Sequence, residues 1–107
     1  MDRRVLLLAL SGVRIHDREL LELGMSLPGF AERGATIAAL PSLGLLTLAG
    51  CTPADWIPEY REIDRIDDGA VGRVVLARPD LVAISALGAR IREAYALADR
   101  LRAEGIR

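Results

Sequence analysis

The chain has 107 residues, 51% of them hydrophobic and only 4% aromatic, with a formal net charge of −1. That length makes one domain, able to bury roughly 60–70% of its unfolded surface without disulfides, and aliphatic side chains must fill its core. The near-neutral charge leaves no electrostatic footprint for nucleic acid or an anionic membrane.

Val5-Leu6-Leu7-Leu8-Ala9-Leu10 is a continuous apolar run that stops at Ser11-Gly12. Strands buried on both faces of a parallel sheet read this way. It follows Arg3-Arg4, but it is too short for a signal h-region, and no small-residue cleavage site follows closely. No apolar run approaches the roughly 18–20 residues of a membrane span. Asp17 then caps a short predicted helix, Arg18 to Leu23, with Gly24 as its stop and Leu20, Leu21 and Leu23 on one side. Leu27-Pro28-Gly29-Phe30 is a turn signal. The stretch from Ser11 to Pro41 is long for a connection with one short helix; such connections are usually functional or poorly ordered.

Ser42 caps a second helix in which Leu43, Leu45, Leu46, Leu48 and Ala49 are apolar almost all round, a pattern that predicts burial on most sides. Gly50 and Thr52-Pro53 end it. Glu59–Ile63 reads as a short strand near the sheet edge, because Pro58 argues against a central position. From Asp67 to Arg78 the pattern is ambiguous. Val71, Val74 and Val75 have helical spacing and strand-favouring β-branching, and Pro79 stops either element. Asp80–Ser85 is the clearest strand. Arg90–Glu104 is the clearest helix, with an apolar stripe at Ile91, Ala94, Tyr95, Ala98 and Leu101 and Gly105 as its stop. Alternating strands and helices predict an α/β fold, Rossmann-like or flavodoxin-like, with a parallel sheet between helical layers. Gly105-Ile106-Arg107 reads as the turn into a fourth strand, so the chain is expected to be the N-terminal part of a longer protein.

Three stretches together resemble a known family. They are Leu40-Pro41-Ser42-Leu43-Gly44-Leu45-Leu46-Thr47-Leu48-Ala49, Asp80-Leu81-Val82-Ala83-Ile84-Ser85, and Ala94-Tyr95-Ala96-Leu97-Ala98-Asp99-Arg100-Leu101-Arg102. Their order and spacing resemble the N-terminal cobalamin-binding domain of radical S-adenosylmethionine iron–sulfur oxidoreductases and methyltransferases. Residues 12–39 match it only loosely. The resemblance implies a flavodoxin-type domain with cobalamin at the carboxyl ends of the strands, as open α/β sheets favour. It also implies a downstream domain whose Cys-x-x-x-Cys-x-x-Cys binds a [4Fe–4S] cluster and S-adenosylmethionine. Residues 1–107 hold Cys51 alone and lack that motif, and they lack the Asp-x-His-x-x-Gly motif of other cobalamin proteins.

The loops after the strands would face the ligand. Ser11 and Gly12 follow the first strand, where Gly12 suits close backbone approach to a ligand or simply a tight turn. Ser42, Leu43 and Gly44 set a helix N-terminus at that edge, where free N–H groups favour phosphate or amide oxygens; alternatively Ser42 merely caps and Gly44 merely permits packing. Ser85, Ala86 and Leu87 follow the third strand, and their small size suits a corrin face or a nucleotide tail. His16, the lone imidazole, reads as a solvent-facing neighbour of Asp17, and Cys51 as a small buried hydrophobe. Asp67-Asp68 reads as a helix cap. Asp64 lies where an acid holds a ribose in nucleotide-binding folds, but no G-x-G-x-x-G precedes it. All 14 basic residues are Arg, so phosphate-loop and Schiff-base lysines are excluded within the chain.

The leading expectation is a cytoplasmic cofactor-binding module that holds cobalamin over a downstream active site and does no chemistry alone. The alternative is a vestigial domain of the same fold, without cobalamin, serving interdomain or substrate contacts. A phosphoreceiver is disfavoured, because Ile84-Ser85 stands where its Asp is expected. In a flavodoxin-like strand order the third strand would also be an open edge of this chain, so homo-oligomers through it are expected.

Overall fold

The computed structural model describes residues 2–10 and 41–107. The predicted helix after Asp17, the Leu27–Phe30 turn and His16 lie outside the described residues.

Strand β1, Arg3–Leu10, is followed by helix α1, Leu43–Gly50, and strand β2, Trp56–Ile63. Helix α2, Asp68–Ala77, strand β3, Leu81–Ser85, a 3₁₀ turn at Gly88–Arg90, and helix α3, Ile91–Ala103, complete the order. The strands form one parallel sheet in the order β2-β1-β3. Leu7 of β1 lies opposite Tyr60 on one side and Ala83 on the other. This is the α/β, Rossmann-like arrangement expected from the alternation of elements.

β1 is apolar from Val5 to Leu10 because that stretch is central and covered on both faces. Leu6, Leu8 and Leu10 enter one core cluster with Ala70, Val71 and Val74 of α2 and Ala94, Leu97 and Leu101 of α3. Val5, Leu7 and Ala9 point to the opposite face, where Leu45 of α1 covers them. One strand thus supplies both layers, as the alternation of side chains along a strand requires. β2 runs further toward the amino end than Glu59, back to Trp56, and includes Pro58. An edge strand has one side without ladder partners, so it can hold a residue with no N–H.

The ambiguous Asp67–Arg78 segment is helical. Asp67 caps it, its carboxylate accepting from the Ala70 N–H at 2.7 Å. Arg78 closes it in the left-handed region at φ 48°, and Pro79 prevents continuation. α3 ends in a Schellman turn: Ile106 N–H donates to the Leu101 carbonyl at 3.0 Å and Gly105 N–H to the Arg102 carbonyl at 2.9 Å. Gly105 sits at φ +80°, which favours glycine. Buried Ile106 then packs into the same cluster as Leu101.

Three packing expectations need correction. α1 is not buried on most sides: Leu45 is its one buried residue, while Leu43, Leu46 and Leu48 are exposed. A single helix over β1 and β2 can turn only one side to the sheet, however apolar the others are. The α3 stripe is rotated from the expected one. Leu97 is fully buried beside Ala94 and Leu101, whereas Tyr95 is 66% exposed and Ile91 is also exposed. Cys51 is exposed just past the end of α1, rather than a buried small hydrophobe.

Candidate functional site at the carboxyl edge of the sheet

In a parallel sheet every post-strand loop emerges at one edge, and a change in winding direction opens a crevice there. Here the chain passes from β1 to β2 on one side and then to β3 on the other, so that point lies between β1 and β3. Two of the three sequence-nominated segments, residues 42–44 and 85–87, bear on this edge.

Ser11 and Gly12 lie outside the described residues. Ser42, Leu43 and Gly44 open α1. The helix runs back against the strands, because its start bonds to the carboxyl half of β2 and the segment after it reaches the amino end of β1. The Ser42 N–H donates to the Tyr60 hydroxyl at 2.9 Å, and the Arg3 N–H donates to the Asp55 carbonyl at 3.1 Å. Ser42 is committed to structure: its hydroxyl accepts from the Leu45 N–H at 3.3 Å. Of the nominated residues here, Leu43 and Gly44 are exposed at the first turn. A side chain built at Gly44 would meet only the Ser42 hydroxyl, at 4.0 Å, so close packing is not what requires glycine there.

Ser85 ends β3 opposite Ala9, and Ser85 and Ala86 are half-buried while Leu87 is 51% exposed. Leu87 is extended, at φ −67° and ψ 154°, and no side chain caps the following 3₁₀ turn. The structure therefore puts residues 42–44 and 85–87 at one edge of the sheet, on either side of β1. It assigns Ser42 the capping role that the sequence left open.

Sequence reasoning did not single out Tyr60, Glu62 or Arg90 at this edge. Tyr60 accepts from Ser42 and donates to the Glu62 carboxylate at 2.9 Å. Partial burial of its ring, reinforced by Glu62 and opposed by the Ser42 N–H, raises the Tyr60 hydroxyl pKa above its ordinary value. Arg90 is 6% exposed, and its Nε donates to Glu93. A buried Arg is uncommon unless paired. Its signal in the sequence was hidden, because arginine at the head of an amphipathic helix reads as a solvated charge.

Away from this edge, Glu59 binds Arg61 and Arg4. The Arg61 hydrogen bond, with help from both arginine charges, holds its carboxyl below the usual range. Arg4 also donates to the Ala77 carbonyl at 2.7 Å, and the Asp80 carboxylate accepts from the Arg4 backbone N–H at 2.7 Å. These contacts tie the amino ends of the strands together, opposite the candidate site. Asp67 is occupied as a cap, and Asp68 pairs with Arg100 of α3. Among the described residues no group of three or more His, Cys, Asp or Glu side chains could hold a metal ion. Among them, too, no helix is long and apolar enough to cross a membrane.

Strand order and the helices on both faces together define a doubly wound α/β domain. No family model, no curated protein and no solved structure matches the chain.

Proposed function

We propose that this domain is a cobalamin-binding module, holding the cofactor at the carboxyl edge of its sheet for chemistry carried out by a downstream radical S-adenosylmethionine domain. The observation that carries the reading is the parallel β2-β1-β3 sheet with residues 42–44 and 85–87 on either side of β1 at that edge. The identity of the ligand rests on the sequence resemblance. The residues present fit a large neutral ring better than a chelated ion. Ser85 and Ala86 are small and half-buried, and Leu87 offers exposed apolar surface. The N–H groups of Leu43 and Gly44 lie in the first turn of α1, where amide or phosphate oxygens are favoured. Bound cobalamin would supply the organometallic chemistry; these residues would hold and orient it.

Titration of the purified protein with hydroxocobalamin tests the proposal. The expected result is a saturable change in the visible spectrum below about 50 µM ligand. Gly44→Trp, which sets bulk at an exposed position of this edge where a Cβ meets only the Ser42 hydroxyl at 4.0 Å, should weaken binding at least about tenfold. No spectral change with the unaltered protein overturns the proposal in favour of a domain that serves interdomain or substrate contacts. An unchanged affinity in Gly44→Trp overturns this location of the site.

A further inference from the structure

We draw no further inference here: the strongest candidate, the apolar cleft of about 190 Å³ between the end of α1 and β3, lined among others by Val5, Leu48, Cys51, Trp56 and Leu81, carries none because nothing in the structure shows what covers it.

Discussion

Asp67 holds the start of α2 through one carboxylate, which accepts the Ala70 N–H at 2.7 Å. Without it, that N–H keeps no partner from the helix, since the first turn has none to offer. Asp67→Ala should therefore lower stability by about 1 kcal/mol, read from denaturant midpoints at unchanged slope. Tyr60 makes a second residue-scale prediction, and this one depends on pH. Its folded-state pKa is raised, mainly by burial, so the folded protein holds the phenolic proton more tightly than the unfolded chain. The stability linked to that proton is complete below about pH 10 and is lost as pH rises through the raised folded value. Tyr60→Phe should remove this contribution to the alkaline loss of stability. At neutral pH it should cost about 1 kcal/mol, because the half-buried Ser42 N–H loses its acceptor. Unfolding curves from about pH 8 to about pH 11 separate the two effects. A parallel alkaline limb in the variant would refute the assignment.

The two edges of the sheet are built differently. β2 carries Pro58, Glu59, Arg61 and Glu62, all of which hinder pairing with a foreign strand. β3, Leu-Val-Ala-Ile-Ser, has neither charge nor proline. Val82 turns its N–H away from β1 and donates to the Arg107 main-chain oxygen at 2.7 Å, so the chain itself takes one position of that edge. Strand alternation turns Ile84 the same way. With neither charge nor proline along it, the rest of this edge should let the chain self-associate at high concentration. Leu81→Lys, at a position 40% exposed, should suppress this by charging the edge while sparing the core. Light scattering decides, and a strictly monomeric unaltered chain contradicts the expectation. Element types were largely legible from composition and punctuation, and the exceptions have physical causes. Val71, Val74 and Val75 fitted two periods at once, and only the Asp67 cap and the packing of Val71 and Val74 against β1 resolve them as helix. Helical spacing puts Tyr95 on the apolar stripe, but Leu97 takes the central place, and the tyrosine stands outside. A helical stripe defined by hydrophobicity can rotate by one residue without violating its spacing.

At the scale of the whole molecule, β1 decides the architecture. Six consecutive buried residues, Val5 to Leu10, alternate between two clusters and so require helices on both faces. That much could be read from an uninterrupted apolar run. The site could be read only as positions: the post-strand loops and the Ser42 cap were legible, but not that the Ser42 N–H would be taken by Tyr60. The Ser42–Tyr60 bond joins residues 18 apart in sequence, and no local pattern records it. The same assembly gives a prediction distinct from the spectral titration. The proposed site is formed by segments that meet only when the sheet is made, so the unfolded chain cannot offer it. A ligand bound there stabilises the fold by mass action, by about 2.7 kcal/mol at a hundredfold excess over its dissociation constant. For a domain of this size that should raise the thermal midpoint by roughly 10–20 °C. Scanning calorimetry with increasing hydroxocobalamin should show a rise that grows with the logarithm of its concentration. Gly44→Trp, at an exposed first-turn position whose Cβ would meet only the Ser42 hydroxyl at 4.0 Å, should unfold near the unaltered midpoint without ligand and respond far less to it. A spectral change with no accompanying shift of the midpoint would mean that cobalamin binds folded and unfolded chain alike, and the carboxyl-edge site would fall.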